Sequence, residues 1–264
     1  MKVAPVLCLL LIQTCCLSVT TFSKVICIHV NEDRPTPQHN CSLCRNNLSS
    51  AMNEVSNDTM LLLLSDKEIV ETIIEFVNVS GLTISGMNKT TIVCNQQVVT
   101  NGFKFINITD LKISGLSIVN CGILYHYKQK TNPPSFHVST AAYFENCTNI
   151  DISGITVRNS HGAGLTLFNC DGLVSITHST FTNNTVSKPH EDTANETGRL
   201  HGGGGVYYEL SACSPSWDSC DPSTNMHNKH SSFIVYNCTF SYNSVIRKSN
   251  NLWWANGATL WASL

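Results

Sequence analysis

A nine-residue segment recurs three times without a gap, and no other feature constrains the chain as strongly. The copies are Asn78-Val-Ser-Gly-Leu-Thr-Ile-Ser-Gly86, Asn107-Ile-Thr-Asp-Leu-Lys-Ile-Ser-Gly115 and Asn146-Cys-Thr-Asn-Ile-Asp-Ile-Ser-Gly154. Each is followed by an apolar residue: Met87, Leu116 or Ile155. A looser fourth copy starts at Asn169-Cys170 and reaches Ile176 with one extra residue. The starts are separated by 107−78=29, 146−107=39 and 169−146=23 residues. A constant core at variable steps means constant strands with loops inserted between them.

Within a copy the apolar residues alternate, as in Leu111, Ile113, Leu116 and Ile118, or Ile150, Ile152, Ile155 and Val157. Alternation marks a strand with one buried face. The Ser-Gly step shifts the register by one, as a corner does. Upstream of the Asn lies another apolar strand, as in Gly102 to Ile106 and Gly164 to Phe168. A unit this short cannot bury its own apolar face. Stacking units builds a continuous core, with neighbours about 4.8 Å apart. The expected columns are Leu82 on Leu111 on Ile150, and Ile84 on Ile113 on Ile152. The expected fold class is an all-β parallel β-helix (solenoid) with a short N-terminal capping helix.

Composition fits that class. Of 264 residues, 42% are hydrophobic and only 13% charged, so Asn, Ser and Thr must supply the polar surface. Those residues favour turns. A net charge of −2 without a basic stripe excludes a nucleic-acid footprint.

Residues 1–20 read as a signal peptide: Lys2, then the apolar run Val3 to Ile12, then small residues. That run is too short to span a bilayer, and no later segment is long and apolar enough, so no membrane span is expected. The expected localisation is extracellular, or at the cell surface through a downstream region. Ten cysteines follow the leader, an even number that suits disulfides in a secreted chain. Cys213 and Cys220 flank one loop and are expected to pair. Cys41-Ser-Leu-Cys44 is read as part of a structural disulfide involving Cys27. Cys147 and Cys170 follow the repeat Asn in successive units, and either a disulfide or a column of thiols fits them. Asn-x-Ser/Thr acceptors are dense. Asn40, Asn47, Asn57, Asn88, Asn183, Asn195 and Asn237 are the glycosylation candidates. Asn78, Asn107 and Asn146 are acceptors too, but share one repeat column. An inward Asn ladder is expected there in some coils and a glycan in others.

Residues 21–59 are read as a cap region. Leu48, Ala51, Met52 and Val55 have helical spacing, and Met60 to Leu64 reads as the first buried strand. The β-helix then runs over residues 60–264 with a loop insertion at 186–230, which carries His190, His201, His227 and His230. Phe233 to Phe240 repeats Val174 to Phe181. The repeats are still running at Leu264, so the solenoid is expected to be incomplete there.

The N-x-[ST]-x-[LI]-x-I-S-G repeats, the Asn-Cys pairs and the Gly-rich strand starts resemble right-handed parallel β-helix domains of the pectin lyase-like superfamily, over Met60 to the end. The resemblance implies a right-handed coil. It implies little about activity, because that fold hosts lyases, hydrolases, esterases and adhesins.

Enzymes of that superfamily act on acidic polysaccharides. Of the hydrolase motifs only Ser160-His161-Gly162 faintly resembles a G-H-G element; the N-T-D, D-D and R-I-K motifs are missing. Asp110, Asp151 and Asp171 occupy different columns of the repeat. No catalytic, cofactor or metal set is therefore assigned. The expectation is a structural or adhesive β-helix protein that meets extracellular glycans or matrix and cell-surface proteins. Tyr125, Tyr127, Tyr207 and Tyr208 are the candidates for stacking on sugars. The alternative is a carbohydrate-active enzyme using Asp151, Arg158, His161 and Asp171.

Overall fold

The computed structural model describes residues 22–29, 41–65, 68–71, 74–87, 90–94, 101–122, 140–187, 204–210, 231–246 and 260–263. The chain winds through three parallel sheets in rotation. The first full coil holds β3 (Thr59–Leu63), β4 (Ile69–Glu71) and β5 (Ile74–Val77). The second holds β6 (Thr83–Gly86), β7 (Thr91–Cys94) and β8 (Asn101–Ile106). The third holds β9 (Thr109–Ser114), β10 (Ser117–Val119) and β11 (Thr140–Glu145). The fourth holds β12 (Thr148–Ser153), β13 (Thr156–Arg158) and β14 (Ala163–Phe168). The fifth holds β15 (Asp171–Thr177), β16 (Thr180–Thr182), β17 (Thr185–Ser187) and β18 (Val206–Glu209). The sixth holds β19 (Ser231–Tyr236), β20 (Thr239–Ser241), β21 (Ser244–Ile246) and β22 (Leu260–Ser263).

Each strand pairs in parallel with its equivalent in the next coil. Sheet A takes the first strand of every coil, sheet B the second and sheet C the last, while β17 and β21 form a small fourth sheet. This is a parallel β-helix. The columns read from the repeat are present: Ile150 is opposite Leu111, and Ile84, Ile113, Ile152, Ile176 and Val235 follow one another. The extra residue of the fourth copy is a bulge between Thr148 and Ile150 against β15. The copy at Phe233 also holds, with Val174 opposite Phe233 and Phe181 opposite Phe240.

Sheet C supplies an aromatic ladder to the interior. Phe76, Phe105 and Phe144 stack with centroids 5.5 and 4.9 Å apart. Cys94, the last residue of β7, and Cys121, two residues past β10, form a coil-to-coil disulfide with Cα atoms 4.9 Å apart. No sequence signal distinguished that pair. Gly102 lies against it: a Cβ there would meet Cys94 Sγ at 2.6 Å and Ala141 O at 2.7 Å.

Corners are set by left-handed residues. The Ser-Gly bend places Gly115 and Gly154 at φ of 66° and 62°. His178 and Asn237 occupy the same corner in later coils, both at 51°. Non-Gly residues visit this region rarely, and Asn, Asp and His are enriched there.

The segment before residue 60 holds more than a helix. β1 (Lys24–Ile28) pairs in parallel with β3, and β2 (Leu43–Arg45) pairs with the other side of β1. Sheet A therefore begins upstream of the strand read as first. The helix α1 (Leu48–Met52) buries Leu48 and Ala51. Asn47 caps it, its Oδ1 accepting the Ser50 N–H at 2.7 Å. The buried Glu71 carboxylate accepts the Leu48 N–H and the Ser49 hydroxyl, satisfying further helix-end donors. Within the segment read as one insertion, β17 and β18 are strands, and Leu165 is opposite Val206.

Candidate functional site

The four residues of the enzymatic alternative do not converge. Asp151 is exposed on sheet A beside Lys112 and Ser175 in register, and Arg158 is exposed on sheet B. His161 is half-buried at the corner between sheets B and C. Asp171 begins β15, where its carboxylate accepts the Thr148 hydroxyl at 2.5 Å.

The outward face of sheet C brings other carboxylates into line. Tyr143 is opposite Thr166, which is opposite Tyr207; Glu145 is opposite Phe168, which is opposite Glu209. Tyr-Phe-Glu and Tyr-Tyr-Glu are thus two copies of one motif, two coils apart, flanking Thr166 and Phe168. In each copy the phenol donates to the carboxylate two residues on: Tyr143 to Glu145 at 3.4 Å, and Tyr207 to Glu209. Burial pushes the Tyr143 phenol well above its ordinary value, and the charge of Glu145 adds to this. These residues point away from the core, yet Tyr143, Tyr207 and Glu209 are closed off, with Tyr207 2% exposed and Glu209 4%, while Glu145 is half-buried. Among the described residues Thr166 Oγ1 is buried without a hydrogen-bond partner.

Tyr207 and Tyr208 are thereby corrected as exposed sugar platforms. Tyr208 faces the core, stacks on Phe233 at 4.4 Å and donates to Cys170 O. Alternating sides of β18 separate the two rings. Tyr125 and Tyr127 lie outside the described residues.

The exposed aromatics are elsewhere. On the outward face of sheet A, Ser85 bonds Ser114 and Ser153 bonds Thr177, forming a hydroxyl column that ends on Tyr236. Tyr236 is 65% exposed and meets the His178 ring edge-on at 5.9 Å. Ile234 and Leu173, 46% and 50% exposed, extend the patch across β19 and β15. Ser175, Thr177 and Ser232 border it. The sequence reading missed Tyr236 because it counted that residue only as part of a repeat.

Cys27 and Cys41 are bridged, with Cα atoms 5.8 Å apart. Cys44, expected in a disulfide, is an exposed thiol: it sits on edge strand β2, opposite Cys27, whose sulfur is already engaged. His29 lies beside the bridge, its donor atoms within 4.8 Å of both sulfurs. With those sulfurs bonded to each other, the trio offers one imidazole rather than a set of ligands. Cys147 and Cys170 are buried thiols. Burial pushes Cys170 up, while a hydrogen bond from Cys170 holds Cys147 below its ordinary value. Cys213, Cys220, Asn40, Asn88, Asn195 and the four insertion histidines lie outside the described residues.

The remaining glycosylation candidates Asn47, Asn57, Asn183 and Asn237 are exposed. The repeat column Asn78, Asn107 and Asn146 corrects the expectation of an inward ladder. All three are exposed, because each holds the left-handed corner between sheets C and A with its side chain outside, at φ of 52–56°.

No helix among the described residues is long and apolar enough to cross a membrane. No family model, curated protein or solved structure matches the chain. Fold and surface therefore define it as an all-β parallel β-helix, with two disulfides among the described residues.

Proposed function

We propose that this chain is a secreted or cell-surface glycoprotein of the pectin lyase-like, right-handed β-helix type, which binds an extracellular glycan without turning it over. The observation that carries this is the Tyr236 patch. An exposed aromatic ring with an edge-on imidazole, two apolar neighbours and a border of hydroxyls matches the alternating C–H and O–H faces of a pyranose. Such a ring offers a large rigid contact area with a polar tip. The long sheet A face gives an extended surface on which several sugar units fit in a row. A protein of the matrix or cell surface is served by the same patch through its glycans.

Titration of the purified chain with defined neutral and acidic oligosaccharides tests this. Binding by the wild type, weakened about ten-fold or more in Tyr236→Ala, a loss of about 1.4 kcal/mol, is expected. Equal binding by wild type and variant, or no binding across the panel, contradicts it.

A further inference from the structure

Cys27, Cys41 and Cys44 share one outward patch at the start of sheet A, where a single bridge needs only a pair. Cys27 lies on β1 between the inward Ile26 and Ile28, so its side chain points out of the coil. Register places Cys44 of β2 directly opposite it, and opposed residues of parallel strands send their side chains to the same face. The Ser42 N–H donates to Val25 O at 2.8 Å and the His29 N–H to Arg45 O at 2.9 Å, so β2 is held against β1 on both sides of Cys44. Cys27 nevertheless bonds Cys41, with Cα atoms 5.8 Å apart. Opposed Cα atoms of neighbouring strands stand about 4.8 Å apart, inside the range of about 4.4–6.8 Å that a disulfide spans. Both cysteines are therefore within reach of Cys27. The one left over, Cys44, is an exposed thiol. A ring nitrogen of His29 lies within 4.8 Å of both bridge sulfurs. The fold does not ask for this arrangement, since neither Cys44 nor His29 belongs to the core.

We propose that this patch is a thiol–disulfide exchange site, in which Cys44 and Cys41 compete for Cys27. The Cys44 thiol gives up its proton, and its thiolate attacks Cys27 Sγ. The Cys27–Cys44 bond forms as the Cys27–Cys41 bond breaks. The electron pair of the broken bond leaves on Cys41 Sγ, which takes up a proton, and the His29 imidazole stands where that proton is needed. One bridge and one thiol enter, and one of each leaves, so no oxidant or reductant is used. The exchange moves the reactive thiol from the exposed Cys44 to the half-buried Cys41. Sheet A carries this site at one edge and the Tyr236 patch at the other, and the exchange does not depend on glycan binding.

The test is the full chain, folded with its bridges formed and kept at acid pH, where thiols stay protonated. It is then shifted to mildly alkaline pH, acid-quenched over time, and its pairings are mapped by mass spectrometry of an unreduced digest. Cys27–Cys41 should fall and Cys27–Cys44 should rise to a plateau, at a rate that does not change with protein concentration. Cys44→Ser should hold the chain in the Cys27–Cys41 pairing alone. Cys41→Ser should fold with Cys27 bonded to Cys44 and lose the exposed thiol. His29→Ala should slow the approach to the plateau several-fold, and an unchanged rate overturns the part given to the imidazole. Cys27–Cys41 as the sole pairing at every time overturns the exchange. So does a Cys41–Cys44 bond with a Cys27 thiol, a rate that rises with protein concentration, or a Cys41→Ser chain with thiols at both Cys27 and Cys44.

Discussion

The outward faces of sheets A and C are built from the same alternating strands in the same coils, yet they are opposites. On sheet A the outward positions are Thr83, Ser85, Lys112, Ser114, Asp151, Ser153, Ser175 and Thr177, all exposed or half-exposed. On sheet C from the third coil on, the same alternation gives Tyr143, Thr166, Phe168, Tyr207 and Glu209, which are buried, and Glu145, which is half-buried. Sheet C is not closed throughout: in the first two coils Glu75 and Lys104 form an ion pair at 3.1 Å with both side chains partly in solvent. The change comes with the third coil. Pointing away from the core therefore does not mean facing water. Alternation fixes the direction of a side chain, and only the tertiary surroundings fix its solvent.

Substitution of paired positions sharpens that contrast. The largest difference is expected between Phe168→Ala and Ile234→Ala, both outward. Phe168 is 4% exposed and Ile234 46%. Truncating the first should cost about 3–5 kcal/mol in denaturant unfolding, and the second less than about 1 kcal/mol. Equal losses would mean the two faces are alike. Next, Tyr207→Phe takes a donor from the buried Glu209 carboxylate and should cost about 1–3 kcal/mol. Ser114→Ala, which removes a hydroxyl from the open column on sheet A, should stay within about 0.5 kcal/mol. Thr166→Val is smaller again. It deletes a buried hydroxyl without a partner, so stability should hold or rise by up to about 1 kcal/mol.

The last effect is one of pH. The Tyr143 phenol is raised by burial and by Glu145. A raised folded-state value means full stability below the unfolded tyrosine value, about 10. Stability then falls as pH rises beyond it, because the unfolded chain loses the proton that the folded chain keeps. Thermal unfolding from neutral to strongly alkaline pH should show a fall that is reduced in Tyr143→Phe. An unchanged profile in the variant would place Tyr143 in solvent.

The interior was legible because stacking repeats a demand. Leu82, Leu111 and Ile150 meet the same neighbours in each coil, so the same residue type recurs, and the extra residue before Val174 shows as a bulge. The corners were half legible. Gly115 and Gly154 announce a left-handed bend, but His178 and Asn237 do the same work without a glycine. Lys24–Ile28 was missed as a strand of sheet A because it has no Asn-x-Ser/Thr start and no Ser-Gly end. Cys94 and Cys121 carry no spacing signal; their partnership is made by the stacking of one coil on the next. The closed face of sheet C was illegible for the same reason that Tyr207 was misread: one strand shows only alternation, and alternation does not say whether an outward side chain meets solvent.

All of this depends on coils stacking in parallel register. A crystal structure of the chain measures that directly through the Cα atoms of Leu61, Ile84, Ile113, Ile152, Ile176 and Val235. They should stand in one row at about 4.8 Å intervals, with every neighbouring strand running the same way. Antiparallel neighbours, or these six residues divided among different sheets, would contradict the solenoid and the assignment of both faces.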